Sequence, residues 1–218
     1  MNTDKLTYLN AMNIQTWQLK NKDAAYAPVI MAETSWEALR TAVMNCTACG
    51  LDKSRTQTVF GIGNQDADLM IIGEAPGFHE DQQGEPFVGR AGQLLNGMLE
   101  AIGLDRNRVY IANILKCRPP NNRDPLPEEV SLCTAFLEQQ IALVKPKLLL
   151  ALGRIAAQYL LKNKSALTQL RGKIFQYNTT PLISTFHPAY LLRSPADKSK
   201  AYQDLHLVLR TLKELGDK

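Results

Sequence analysis

The sequence predicts an α/β fold in three layers, with a central four-stranded parallel sheet between helices. Four short apolar runs alternate with helical patterns between residues 69 and 215. Because such strands are apolar on both faces, helices must cover the sheet on both sides. The 218 residues are 45% hydrophobic, which provides for a sizeable core.

The individual elements follow in chain order from apolar runs and helix-start residues. Ser35 is a typical N-cap for a first helix that ends before Cys46. The predicted strands are Leu69–Ile72 and the runs RVYIANILKC, KPKLLLALG and TPLISTFHP. The later helices are predicted over residues 92–101, 127–144, 154–161 and 196–215.

Residues 1–32 differ from the rest of the chain and are predicted to be an N-terminal extension with a linker, followed by the main domain over residues 33–218. No apolar run approaches the roughly 20 residues that span a bilayer, and the start lacks the apolar core of a signal peptide. We therefore expect a cytoplasmic protein. The net charge of +4 permits a polyanionic partner without indicating one.

The four cysteines form two local pairs. Cys46 and Cys49 are a C-x-x-C pair, and Cys117 and Cys133 follow much later in the chain. In a reducing compartment disulfides are disfavoured, so the thiols are either buried or metal ligands. Their spacing fits one four-thiolate site and does not separate zinc from a [4Fe–4S] cluster.

Three unusual segments follow predicted strands: GEAPGFHED, NILKCRPPNNRDP and TFHPAYLLR. Ligands of parallel sheets bind at the carboxyl ends of strands, so these segments are expected to converge on one edge. The first segment lacks the lysine of a P-loop, and GIGN at 61–64 lacks the third glycine of a dinucleotide site. Its carboxylates would also repel a pyrophosphate. These features favour a flat, uncharged ligand.

The motifs GEAPGFHEDQQGEPFVGRAGQLL, NILKCRPPNNRDP and STFHPAYLLR, with the four cysteines around them, resemble the family 4 uracil-DNA glycosylases. The resemblance runs from about Ser35 to the end of the chain. It implies a four-stranded parallel sheet between helices and a structural [4Fe–4S] cluster on Cys46, Cys49, Cys117 and Cys133. It also implies an enzyme that flips uracil out of DNA and hydrolyses its N-glycosidic bond, leaving an abasic site for base excision repair.

The resemblance assigns uracil binding to five positions. Phe87 is expected to stack on the captured base, although a buried core Phe is the ordinary alternative. Asn113 is expected to read the uracil edge, because a carboxamide can accept from N3–H and donate to O4. The backbone at Gly73, Ala75 and Gly77 is expected to approach the base closely.

His187 matches the histidine of the family and is expected to donate to uracil O2 as the bond to the sugar breaks. The sequence does not identify the group that activates the water. Ala75 occupies the position where the best-known branch has an aspartate, which leaves Glu74, Glu80 and Asn122 as candidates. Glu80 could instead exclude the methyl group of thymine.

A further set of residues is expected to contact DNA. Leu191 and Leu192 resemble an apolar wedge that fills the gap left by the extruded base. Phosphate contacts are expected from the basic residues Arg193, Arg90, Arg171, Lys116, Arg118, Arg123 and Lys173. The expected substrate is single- or double-stranded DNA.

Two other functions remain open from the sequence: a uracil-DNA binding protein without turnover, and a zinc-stabilised nucleotide-binding module. Covalent trapping of DNA is disfavoured, because TQLRGKIF at 168–175 has no histidine. YLNAMNIQTWQLKN at 8–21 resembles the N-terminal segment of the psi subunit of the bacterial clamp loader. We therefore expect residues 1–25 of a monomeric enzyme to be a tether to that assembly, with Trp17 as anchor.

Overall fold

A computed structural model of the protein describes Met12 and residues 35–216. Apart from Met12, the predicted extension over residues 1–32 lies outside the described residues. The helices are α1 Trp36–Met44, α2 Phe78–Gln83, α3 Arg90–Glu100, α4 Pro127–Val144, α5 Arg154–Leu161, α6 Leu167–Leu170, α7 Pro188–Arg193 and α8 Lys198–Gly216. Short 3₁₀ turns lie at Gly50–Lys53, Arg106–Arg108, Pro120–Asn122 and Pro195–Asp197. None of these helices is long and apolar enough to cross a membrane.

The strands form one sheet in the order β1-β3-β2-β4-β6-β5. They are β1 Ile62–Gly63, β2 Leu69–Gly73, β3 Val109–Asn113, β4 Leu148–Leu152, β5 Ile174–Tyr177 and β6 Thr180–Thr185. The four central strands β3, β2, β4 and β6 are parallel, which confirms the predicted α/β fold. The two edge strands are antiparallel additions that the sequence analysis did not predict.

Alternate residues of the buried strands point to opposite faces of the sheet. On one face Met70 and Ile72 of β2 belong to a core cluster with residues of α1, α4 and α5. On the other face Leu69 and Ile71 belong to a second cluster with residues of α3, α7 and α8. Helices therefore cover both faces, as the uninterrupted apolar runs predict.

Local chemistry fixes several helix ends. The hydroxyl oxygen of Ser35 accepts a hydrogen bond from the N–H of Ala38 at 3.2 Å, which confirms Ser35 as the N-cap of α1. Helix α4 begins with Pro127, and its Glu129 accepts from the N–H of Leu126 at 2.8 Å. Helices α4 and α5 match their predicted bounds.

The register of the sheet brings the ends of separate strands together. Gly73, the last residue of β2, lies beside Asn113, the last residue of β3. Leu152 near the end of β4 lies beside Thr185 at the end of β6. The three segments predicted to converge therefore leave the sheet at the same edge.

Candidate active site

A cleft of about 440 Å³ lies at the carboxyl edge of the sheet, where the loops after β2, β3 and β6 meet. It is therefore built from all three sequence motifs. The residues that line it are Glu74, Ala75, Pro76, Gly77, Glu80, Phe87, Ala91, Asn113, Pro119, Asn122, Arg123, His187, Ala189, Tyr190 and Arg193.

Asn113 places a carboxamide in the wall of this cleft. The residue is 2% exposed, and its Oδ1 has no hydrogen-bond partner among the described residues. Gly73 lies against this amide, because a Cβ there would stand 2.3 Å from Oδ1 and 2.8 Å from the Phe87 ring. A buried acceptor without a donor costs roughly 1–3 kcal/mol. The geometry thus fits a ligand that brings a donor to Asn113.

Phe87 lines the cleft with an unusual backbone conformation that neighbouring residues support. Its φ of 57° is left-handed, which is unfavourable for a bulky residue and requires support from its surroundings. The Arg106 guanidinium donates to the carbonyls of Phe87 at 3.1 Å and Pro86 at 2.8 Å. Oε1 of Glu80 accepts from the backbone N–H groups of Val88 and Gly89, which follow in the same loop. These contacts hold the backbone that carries the Phe87 ring.

His187 follows β6 and caps α7. Its Nδ1 accepts a hydrogen bond from the N–H of Ala189 at 3.1 Å, so the neutral ring carries its proton on Nε2. Burial, helped by the positive charge of Arg193, lowers the pKa of His187 to about 4, although Glu80 opposes this shift. The imidazole is therefore an uncharged donor at neutral pH. Its ring centroid lies 5.5 Å from that of Phe87.

Glu74 is a partly buried carboxylate in the wall of the cleft. Burial, helped by the negative charge of Asp124 and opposed by the positive charge of Arg154, raises its pKa to about 7. Such a group exchanges a proton near neutral pH, as a general base requires. This acidity suits Glu74 to the activation of water.

The other two candidates have structural partners. Oε1 of Glu80 supports the Phe87 loop, and Oε2 would stand 2.8 Å from a Cβ at Gly77. Asn122 has a left-handed backbone, and its Oδ1 accepts from Nε of Arg118 at 2.7 Å. Both residues still line the cleft. These contacts favour positioning roles for the two side chains.

The wedge prediction is wrong for Leu191. Its side chain is 1% exposed and belongs to the core between α7 and the sheet, because it lies on the inner face of that helix. Leu192 is partly exposed, and Arg193 is exposed and lines the cleft. Tyr190, which the sequence analysis did not select, also lies at the cleft, and its ring stacks on Phe186.

Two predicted phosphate contacts are also wrong. Arg171 donates to both carboxylate oxygens of Asp204, at 3.0 and 2.9 Å, so its charge neutralises a buried carboxylate. Lys116 is 1% exposed and cannot reach solvent. Arg90 is exposed at the start of α3 and is free to contact a phosphate.

The four cysteines line a second cavity, which shares no lining residue with the cleft. All four have free thiols, and Cys46, Cys49, Cys117 and Cys133 line this cavity together. Nη1 of Arg55 donates to Sγ of Cys117 at 3.0 Å, and the N–H of Lys116 donates to Sγ of Cys133 at 3.3 Å. Burial raises the pKa of the Cys133 thiol to about 12.

A buried polar network joins this cavity to the cleft. Nζ of Lys116 donates to the carbonyl of Asn113 and to Oε1 of Gln140, both at 2.6 Å. Nε2 of Gln140 in turn donates to the carbonyl of Phe60 at 2.8 Å. Because Lys116 precedes Cys117 in the chain, its side chain links Asn113 in the wall of the cleft to the cysteine loops.

Comparison with known proteins decides the family. A model described as the uracil DNA glycosylase superfamily matches residues 60–206, which include all three loops of the cleft. The chain belongs to the uracil-DNA glycosylase superfamily. Within the superfamily the chain belongs to the type-4 branch, because it covers most of the length of curated relatives with that name.

Three of these relatives are named type-4 uracil-DNA glycosylase. The protein of Archaeoglobus fulgidus is 44% identical, over 70% of this chain and 81% of its own length. That of Thermotoga maritima is 44% identical, over 76% of this chain and 88% of its own. That of Sulfurisphaera tokodaii is 42% identical, over 74% and 77% respectively.

Within this uracil-DNA glycosylase fold, some residues of the site carry no recognisable sequence signal. Arg106 stands in LDRNRV, outside every motif, yet it fixes the Phe87 loop. Arg123 and Glu129 form an ion pair, with Nη1 2.9 Å from Oε2, that anchors the loop after β3 to α4. The presence of Arg123 in NNRDP was the one available hint of this contact.

Proposed function

We propose that the protein is a monofunctional uracil-DNA glycosylase, which flips uracil out of DNA and hydrolyses its N-glycosidic bond. The observation that carries this proposal is Oδ1 of Asn113, which has no hydrogen-bond partner within residues 35–216 and lies in a cleft with Phe87 and a neutral His187. Together they offer an acceptor, an aromatic face and a donor to one small planar ligand. The type-4 relatives support uracil as that ligand.

Base recognition follows from the carboxamide. Oδ1 of Asn113 accepts from uracil N3–H, and its amide group donates to O4. Cytosine has an acceptor at N3 and an amino group at position 4, so both groups of Asn113 would lose their partners. Sites built on such pairing discriminate strongly, because buried polar groups are left unpaired by the wrong ligand. Phe87 stacks on the flipped base, and Glu80 and Gly77 border the same space.

Bond cleavage is divided between His187 and Glu74. As the bond between C1′ and N1 breaks, its electron pair passes to the uracil ring, and Nε2–H of His187 donates to the oxygen at position 2. A water oxygen bonds to C1′, and ionised Glu74 takes the proton of that water. The negative carboxylate also stabilises the positive charge on the sugar. Asn122 helps to orient the water.

The strand is held at the rim of the cleft. Arg193, which is exposed at the cleft, and Arg90, which is exposed next to cleft residue Ala91, meet phosphates. Leu192 occupies part of the space left by the extruded nucleotide. A single-stranded substrate needs no base pair to be broken, so the same cleft accepts uracil from single- and double-stranded DNA.

The four cysteines fit a [4Fe–4S] cluster, which we include in the proposal. They surround one cavity, and they are joined by no disulfide. No group of three or more His, Cys, Asp or Glu side chains within residues 35–216 is arranged to hold a single metal ion. Four thiolates can hold either zinc or a [4Fe–4S] cluster. The likeness of the sequence motifs to the family 4 enzymes supports the cluster. The cluster ties together the loops that carry it and supplies no electron to the hydrolysis.

Cys133→Ser is expected to remove the broad visible absorbance of the cluster and to lower the melting temperature. The physical reason is that metal binding free energy is folding free energy for the loops it joins. Absorbance spectra, iron content and thermal unfolding measure the change, with Ser131→Ala, an exposed position of the same helix, as control. A colourless wild type that contains one zinc per chain would contradict the cluster.

Asn113→Ala is expected to lower kcat/KM for a uracil-containing oligonucleotide by roughly 10- to 100-fold and to weaken inhibition by free uracil. Both follow from the loss of its pairing with the base, since each buried polar contact is worth about 1–3 kcal/mol. Asn107→Ala, at an exposed position, is the control. An Asn113→Ala enzyme with unchanged uracil inhibition would contradict the recognition role.

The remaining parts of the proposal rest on the sequence. They are a tether to the bacterial clamp loader through residues 1–25, with Trp17 as anchor, a monomeric state and a cytoplasmic location. The tether is supported by the likeness of residues 8–21 to the psi subunit.

A further inference from the structure

An exposed aromatic ring lies beside the active-site cleft and has no part in the chemistry above. Phe78 is the first residue of α2 and directly follows Gly77, which lines the cleft. Its side chain is 51% exposed. A single exposed Phe is common on protein surfaces and indicates nothing by itself. Its contacts with neighbouring residues distinguish Phe78.

A cation lies over the ring and is fixed in that place. The guanidinium carbon of Arg118 is 5.0 Å from the Phe78 ring centroid, which is within cation–π range. Nε of the same guanidinium donates to Oδ1 of Asn122 in the wall of the cleft. None of the ion pairs among residues 35–216 involves Arg118, so its charge is not neutralised by a carboxylate there.

An exposed aromatic face next to an unpaired cation is the combination with which proteins hold single-stranded nucleic acid. Base stacking on such a ring tolerates any sequence, because every base has a π face. Here the pair is contiguous with a cleft that takes one nucleotide, and the chain of that nucleotide must leave the cleft across its rim. The adjoining nucleotide thus brings a flat base and a phosphate to this rim.

We propose that Phe78 and Arg118 form a stacking platform for the nucleobase that adjoins the extruded uracil on the same strand. The base stacks on the exposed part of the Phe78 ring, and the phosphate beside it meets Arg118. This inference rests on the proposed glycosylase function and adds a second nucleotide subsite to it. The platform does not discriminate between the four bases, but efficient release of uracil depends on the presence of a neighbouring base.

The test uses variants of Phe78, because replacing Arg118 would also remove its hydrogen bond to Asn122 in the wall of the cleft. Phe78→Ala, Phe78→Trp and the wild type are compared on three short single-stranded oligonucleotides with one uracil each. The first is complete, the second has a tetrahydrofuran spacer in place of the 5′ neighbour, and the third has the spacer in place of the 3′ neighbour. Tyr202→Ala is the control, since Tyr202 is an exposed aromatic on α8, among residues that do not line the cleft.

On the complete strand, Phe78→Ala is expected to lower kcat/KM about tenfold, which is about 1.4 kcal/mol, whereas Phe78→Trp stays near wild type. On one of the two spacer strands the difference between wild type and Phe78→Ala should disappear, because no base is present to stack. Inhibition by free uracil should be the same in all variants.

Two results would overturn the platform while the wild type releases uracil: equal rates for wild type and Phe78→Ala on the complete strand, or the same loss on all three strands. A wild type that releases no uracil from any strand would instead overturn the proposed function.

Discussion

Glu74→Gln is expected to lower kcat for uracil release by about 100-fold to 10,000-fold while changing KM little. Glutamine keeps the size and polarity of the side chain but cannot take a proton or stabilise a positive sugar by charge. Substrate binding depends on other residues of the cleft, so the loss should fall on kcat. Single-turnover rates at saturating enzyme measure it directly.

The same variant is expected to change the pH profile. Because burial raises the pKa of Glu74 to about 7, the wild-type carboxylate is protonated and inactive below that pH and ionised above it. The wild-type kcat should therefore fall about tenfold per pH unit below pH 7 and level off above it. Glu74→Gln should lose this acidic limb.

Glu100→Gln, an exposed position at the end of α3, is the matched control for the change of charge. This control should keep the wild-type rate of uracil release and the acidic limb of the pH profile. If Glu74→Gln retained a wild-type rate, water activation would not depend on Glu74. The remaining carboxylate in the cleft, Glu80, would then be the next residue to replace.

His187→Ala is expected to lower kcat by about 100-fold to 1,000-fold, the typical effect of removing one donor to a developing oxyanion. Nε2–H meets the uracil oxygen most strongly when negative charge has built up on the leaving base. The donor therefore contributes more to the transition state than to binding, and KM should change much less than kcat.

The pH profile separates this role from that of Glu74. Burial and Arg193 lower the pKa of His187 to about 4, so the ring is neutral throughout the range in which Glu74 ionises. His187→Ala should consequently be slow at every pH yet keep the acidic limb near pH 7. His206→Ala, at an exposed position of α8 away from the cleft, should resemble the wild type. An acidic limb that vanished with His187 would contradict the division of roles.

Much of the site was predictable because its residues lie at strand ends. Apolar runs located β2, β3 and β6, and the rule that parallel strands end at one edge brought Glu74, Asn113 and His187 together. The bounds of α4 and α5 were also correct, since both begin and end at clear changes of pattern.

The failures concern side chains whose partners are distant in sequence. Leu191 looked like an exposed wedge, but helical α7 turns it into the core. Arg171 looked like a surface cation, yet its partner Asp204 lies on α8 and is visible only in the folded chain. The left-handed backbone of Phe87 had no signal, because glycine and asparagine are the residues that ordinarily mark such positions.

The most direct measurement is the fate of one uracil-containing oligonucleotide incubated with excess wild-type enzyme. If Asn113, Phe87 and His187 enclose an extruded uracil that water then releases, free uracil should appear in an amount equal to the DNA. The strand should break at that position after alkali, and the mass of the protein should be unchanged. Bound DNA without free uracil, or a protein mass increased by the DNA strand, would contradict the account.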